Sequence, residues 1–414
     1  RPASSPEGQV NIRLRTGWVA NPTGAAKPLE HGSIRLVSTV MGSSVRLIQV
    51  EDIADIALGS SLLGAGGGGD PYMGSLETTA AIRECGPVRL LDADEVSDDW
   101  TVASIGSVGA PSVVLEKGVN GQEYVRALDL LERRLGRSID AFVLAEAGGL
   151  NSLVPIAAAA RVGIPVVNVD GMGRAFPGLQ QDTYCMAGVP TTPMAFVDEK
   201  GNRALIETID NDWTEAIGRA VTTACGGSLI NLGASMSGAK MKECAVRGTV
   251  DLAQRLGRII RTAKDARERS ARAFFLEESD ARLFLCAKIV DVLRETRDGY
   301  NFGRAVLEGV GDDRGHAGSV VFQNENLYAE VDGRVAMSVP DLVCLVDADT
   351  FVPVTTESLK YGKRVLLVGL ACDAAWRTPQ GVALGGPAFF GFDIPYVPVE
   401  ISYASFEGEK ACEN

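Results

Sequence analysis

Two carboxylates placed at the ends of apolar, strand-like runs carry the clearest chemical signal in this sequence. Glu146 follows Ala141-Phe142-Val143-Leu144-Ala145, and Asp170 follows Pro165-Val166-Val167-Asn168-Val169. A carboxyl group that starts half-buried has a raised pKa and suits acid–base work. The plainer role for such a group is to cap the next helix or to pair with an arginine. Asp170 opens Asp170-Gly171-Met172-Gly173-Arg174, so Arg174 stands four residues on. There it can pair with Asp170 or clamp a substrate carboxylate or carbonyl. Glu146 and Asp170 are therefore the candidate acid and base, with Arg174 orienting the substrate. Asn151 closes Glu146-Ala147-Gly148-Gly149-Leu150-Asn151 and joins the candidate binding residues; with Ser152 it also suits a helix N-cap.

Four glycines, Gly66, Gly67, Gly68 and Gly69, precede Asp70-Pro71. A run without Cβ atoms lets backbone approach something closely and can offer a row of N–H groups to an anion or a polar molecule. Its apolar flanks argue against a solvated linker. The loop is neither G-x-G-x-x-G after a strand nor a phosphate loop ending in Lys-Ser or Lys-Thr, so no nucleotide is expected. Asp70, held extended by Pro71, is a binding candidate or a turn residue. A divalent metal on Asp70, Glu146 and Asp170 is an alternative way to activate water. His316, in Gly311-Asp312-Asp313-Arg314-Gly315-His316, is the one histidine of the regular part of the chain, and is added as a candidate substrate contact and base. Cys185 has no basic neighbour in sequence, and no G-x-S-x-G elbow is present. Glu116-Lys117 is a further charged pair after Gly109-Ala110-Pro111.

The elements that must position these groups alternate. Helical spacing marks 50–60, 74–85, 121–135, 153–162, 212–225 and 249–263. Apolar strand runs mark 88–91, 100–106, 141–145, 165–169 and 205–209. This pattern predicts an α/β domain, three layers around a parallel sheet, with ligands at the carboxyl ends of the strands. Three strand ends carry Gly-rich polar turns: Ser104/Gly109, Glu146/Asn151 and Asp170/Arg174. Gly233 to Lys240 reads as a small polar turn. Beyond about residue 273 the runs shorten, with Asp332-Gly333 as a hairpin turn, and predict a β-rich, barrel-like domain. The expected division is an extension over 1–43, an α/β domain over 44–270 and a β-rich domain over 271–405.

Composition narrows the classes. The net charge of −13 comes with no basic stripe, which disfavours nucleic acid. No apolar run of membrane-spanning length is present. Eight cysteines, none in a C-x-x-C pair, read as reduced thiols of a cytoplasmic protein. Two histidines exclude a His-rich metal site within this chain.

In combination and in order, several stretches resemble the S-methyl thiohydantoin desulfurase family, which is related by context to hydantoinase/oxoprolinase systems. They are Leu63 to Tyr72, Gly109-Ala110-Pro111 with Glu116-Lys117, Glu146 to Asn151, Asp170 to Pro177, Ser237-Gly238-Ala239, Pro340-Asp341-Leu342 and Trp376-Arg377-Thr378-Pro379. The resemblance covers roughly 45–400. It implies an α/β part followed by a β part, and an enzyme that removes sulfur from a five-membered thiohydantoin-like ring to leave a hydantoin. It carries no catalytic residue with it. The alternative is a non-catalytic or accessory subunit of a hydantoinase/oxoprolinase-type complex. The partners expected are a small-molecule substrate and either further copies of the chain, in a homo-oligomer, or a hydantoinase-like protein.

Overall fold

A computed structural model describes residues 45–109, 113, 117–118, 120–263, 270–297 and 300–413. Glu116 and the 1–43 extension lie outside the described residues.

The N-terminal half is built on an eight-stranded sheet. Its order is Leu47–Ile48, Val88–Leu91, Val166–Val167, Ala141–Leu144, Thr101–Gly109, Ser228–Ser237, Met194–Val197, Arg203–Ile206. The four strands from Val88–Leu91 to Thr101–Gly109 are parallel. Successive side chains of a strand point to opposite faces. Ala103, Ile105, Phe142 and Leu144 pack into one core, whereas Val102, Ala141 and Val143 pack into another on the opposite face. Both faces are covered, as a parallel sheet requires.

The sheet is mixed: Ser228–Ser237 pairs antiparallel with Thr101–Gly109 and Met194–Val197, and Leu47–Ile48 pairs antiparallel with Val88–Leu91. Of the segment predicted as a turn, Gly238 to Lys240 opens the helix Gly238–Cys244 and Gly233 to Ser237 is the second half of the strand Ser228–Ser237. Its small residues suit a crowded place: a Cβ on Gly233 would lie 2.6 Å from the Thr191 carbonyl oxygen. The helices Val50–Leu63 and Thr249–Ala263 cross in backbone contact for the same reason. A Cβ on Gly59 would meet the Ala253 oxygen at 1.7 Å, and one on Gly257 the Asp55 oxygen at 1.8 Å.

The C-terminal half is a seven-stranded antiparallel sheet curled into a half-barrel. Its order is Arg334–Ser338, Glu325–Val331, Ala317–Gln323, Tyr300–Gly309, Arg282–Arg297, Arg364–Leu370, Leu342–Asp347. Asp332-Gly333 forms the expected hairpin turn, with φ of 51° and 76°.

The halves share one hydrophobic core, in which Ile53 and Leu62 join Leu342, Val368 and Trp376. Trp376 is fully buried, packs against Phe176 with ring centroids 4.5 Å apart and planes tilted by 55°, and donates its indole N–H to the Met172 carbonyl at 2.6 Å. It fastens the turn after Asp170 to the C-terminal half. Replacing it removes a large buried side chain and leaves a cavity, at a cost of about 3–5 kcal/mol. Trp376→Ala is expected to lower unfolding stability by that amount in a denaturant titration. A loss below about 1 kcal/mol would mean the contact is not structural.

Candidate functional site

The parallel strands end at a cleft, and three of their carboxyl-end turns form its wall with one strand of the half-barrel. Its lining includes Gly68, Gly69, Ser107, Glu146, Asn151 and Asp182 from the first half, Arg219 from the helix Asn211–Ala224, and Asn324 and Glu325 from the half-barrel. The volume of this open cleft is about 90 Å³.

Glu146 leaves the buried strand Ala141–Leu144 and is itself 6% exposed. One of its oxygens accepts from Asn151 Nδ2 at 2.5 Å, and Oε2 has no hydrogen-bond partner. Burial raises its pKa well above the usual carboxylate range, and the charge of Glu325 adds to the effect. Asn151 does not cap the following helix. Its amide grips the Ser107 backbone, accepting from N–H at 2.7 Å and donating to C=O at 3.0 Å, and this aims its remaining N–H at Glu146.

Glu325 opens the strand Glu325–Val331 and is 3% exposed. Its Oε1 accepts from the Gly68 N–H at 3.2 Å, and its Oε2 has no partner. Burial pushes its pKa up to about 7, against the opposing pull of the Arg174 charge and the Gly68 N–H. Sequence reasoning passed over this residue. Gln323-Asn324-Glu325-Asn326 looks like a solvated turn between two apolar strands, yet Asn324, Glu325 and Asn326 are all buried.

The glycine loop makes this arrangement possible, though differently from the row of N–H groups expected. The Gly67 N–H bonds to the Gly64 carbonyl and the Gly68 N–H to Glu325. A Cβ on Gly67 would stand 1.9 Å from Glu325 Oε1, and one on Gly66 2.8 Å from the Asn326 amide. Gly66 and Gly67 therefore admit side chains of the half-barrel, and only Gly68 and Gly69 face the cleft. The loop is tied on its other side as well, since Gly68 and Gly69 carbonyls accept from the N–H groups of Asn151 and Leu150.

Arg219, also unforeseen, pairs with Glu215 at 2.7 Å, lies 4.4 Å over the Tyr300 ring and donates to the Pro177 carbonyl at 3.0 Å. Tyr300 in turn donates to Glu215. The Arg219 Nη1 is buried in the cleft wall without a partner.

The other expected residues stand elsewhere. Asp170 is fully buried behind the cleft wall, where its Oδ2 accepts from Met172 and Gly173 N–H at 3.1 and 2.7 Å. Burial pushes its pKa up to about 8 against those two N–H groups. Arg174 does not pair with it. The Arg174 guanidinium donates to the carbonyls of Ala175, Pro340 and Asp341 at 2.9, 2.6 and 2.9 Å, and lies 4.2 Å over Phe176. It is a buried cation joining the halves. Asp70 caps the helix Pro71–Cys85 by accepting from Tyr72 N–H at 2.7 Å. His316 pairs with Asp332 at 2.7 Å in the half-barrel and does not line the cleft. The Cys185 thiol is driven far up by burial and by Asp182, which makes it a poor nucleophile. Among the described residues, no three His, Cys, Asp or Glu side chains gather to hold a metal, so Asp70, Glu146 and Asp170 are not a preformed ligand set.

Among solved structures, the chain is similar to a crystal structure of a protein from Chromobacterium violaceum. The two are 24% identical, with a TM-score of 0.70 over 86% of this chain and 100% of that one, and this likeness shows the fold. No curated protein matches the chain in sequence. Two family models match it in succession, the S-Me-THD-like N-terminal domain over residues 51–208 and the S-Me-THD-like C-terminal domain over residues 209–399. Matched in that order along most of its length, and by the motifs that resemble S-methyl thiohydantoin desulfurases, the chain belongs to the S-Me-THD-like family.

Proposed function

We propose that the cleft hydrolyses a five-membered (thio)hydantoin-like ring, expelling sulfur as a thiol and leaving a hydantoin, with Glu146 as acid and Glu325 as base. The observation that carries this is a pair of buried carboxyl groups on one cleft, each with one oxygen unpaired and a raised pKa. Such neighbours do not ionise together readily, so one holds a proton while the other accepts one.

The ring atoms complement the unpaired groups. A ring N–H can donate to a carboxylate oxygen, and a ring carbonyl can accept from Arg219 Nη1. Arg219 is already neutralised by Glu215, so its free N–H suits a neutral carbonyl better than a further carboxylate. In the reaction, water attacks the carbon between the two ring nitrogens and gives a proton to Glu325. The ring nitrogen takes the proton of Glu146. As the carbonyl forms, its hydroxyl proton returns to Glu146, the C–S bonding pair leaves with sulfur, and the thiolate takes the proton held by Glu325. Both carboxyl groups end as they began. Asn151 is the positioning residue that holds Glu146.

General acid–base groups contribute roughly 10²–10⁴-fold. Glu146→Gln and Glu325→Gln are each expected to slow thiol release from an S-methyl thiohydantoin by about that factor, measured with a thiol-trapping dye. Full activity in both variants would sink the assignment. The wild-type kcat/KM is expected to rise with pH through about 7, as the Glu325 base ionises, and to fall at higher pH as Glu146 loses its proton. A profile flat from pH 5 to 9 would contradict these roles.

Stability gives a readout independent of turnover. A carboxyl whose folded pKa is raised binds its proton more tightly when folded, so its contribution is greatest at low pH and is lost as pH rises. For Glu325 the window runs from about 4.5 to about 7. Glu325→Gln should flatten the fall in melting temperature across that window; an unchanged slope would mean Glu325 titrates normally.

A further inference from the structure

Beside the cleft lies a second, apolar pocket walled by Met73, Leu76, Tyr124, Leu150, Val154 and Ala157. Ser107 and Leu150 line both spaces, so the pocket and the cleft lie side by side. Its volume is about 230 Å³, against about 90 Å³ for the cleft. An apolar cavity of about 150 Å³ already takes up benzene. The neighbouring pocket therefore has room for a phenyl-sized group. Glu77, the charged residue in its wall, is held by Arg161 at 3.0 Å and offers no free charge.

We propose that this pocket binds an apolar substituent on carbon 5 of the ring substrate, which makes the substrate class a hydantoin-like ring carrying a bulky aliphatic or aromatic side group. This inference rests on the reading of the cleft given above. The ring chemistry selects the position. Both ring nitrogens are needed by the carboxyl groups, the carbon between them is attacked, and the remaining carbonyl faces Arg219. Carbon 5 is the ring atom left free to carry a substituent without displacing a polar contact. The pocket then acts as the part of the site that sets specificity, because burying apolar area contributes about 25 cal/mol per Å².

The test compares S-methyl thiohydantoins bearing hydrogen, isobutyl or benzyl at carbon 5. The kcat/KM is expected to rise at least roughly tenfold from hydrogen to benzyl. In Leu76→Trp, which narrows the pocket at a half-exposed position, the benzyl-to-hydrogen ratio should collapse toward one. Equal kcat/KM across the wild-type series would overturn the inference and leave the reaction standing. In parallel, calorimetry measures binding of 5-benzylhydantoin and of plain hydantoin. Tighter binding of the benzyl compound, lost in Leu76→Trp, supports the pocket even where no thiol is released, an outcome that removes only the proposed reaction. No turnover together with equal binding overturns both.

Discussion

The cleft depends on one close approach, that of the Glu325 side chain to a backbone stripped of Cβ atoms. Any side chain at Gly67 would occupy the space of the Glu325 carboxyl group, and Gly68 supplies the N–H that one of its oxygens accepts. Further backbone bonds join the same loop to the half-barrel: Ala65 C=O accepts from Asn326 N–H, and Gly66 C=O from Thr356 N–H, both at 2.8 Å. The glycine run is thus a seam. It holds the strand-end turns of one half against a strand start of the other, and both carboxylates face the same space because of it.

Leaving a buried polar atom without a partner costs about 1–3 kcal/mol. The cleft concentrates three such atoms, on Glu146, Glu325 and Arg219. Around each, the remaining polar atoms are held firmly: Asn151 is anchored on Ser107, Glu325 on Gly68, and Arg219 between Glu215, Pro177 and Tyr300. The groups are therefore rigid and only partly satisfied, the condition in which a ligand that supplies the missing partners gains most. Arg174, buried behind Glu325, lowers the cost of a negative charge there without entering the cleft.

The fold was largely legible, because strand and helix periods differ and each half keeps its own. The alternation from Val88 to Val167 and the short strands after Arg282 stand close to where the pattern placed them. The second half of the strand Ser228–Ser237 was not legible, since Gly233, Ala234 and Ser235 carry no strand signal and Gly233 sits where a Cβ has no room. At the site, Glu146 stood out because a charged group just after a buried strand is unusual, and Asn151 because it closes the Gly-rich turn that follows. Asp170 gave the same signal, yet the glycines after it turn backbone N–H groups onto its own carboxyl. Glu325 and Arg219 could not be singled out: one sits in what reads as a turn, the other in a helix with ordinary surface charges. Only tertiary contact buries them.

The antiparallel strand Ser228–Ser237 has a consequence for how such a protein is inherited. It lies in the segment matched by the C-terminal family model, yet it pairs with Thr101–Gly109 and Met194–Val197 in the N-terminal sheet. A gene cut between the two matched segments would leave the first product with an open sheet edge and the second with a stray strand. The two segments are consecutive in sequence but interleaved in space. Each supplies part of the cleft wall, Ser107 and Glu146 from the first and Arg219 and Glu325 from the second, so neither builds that wall alone.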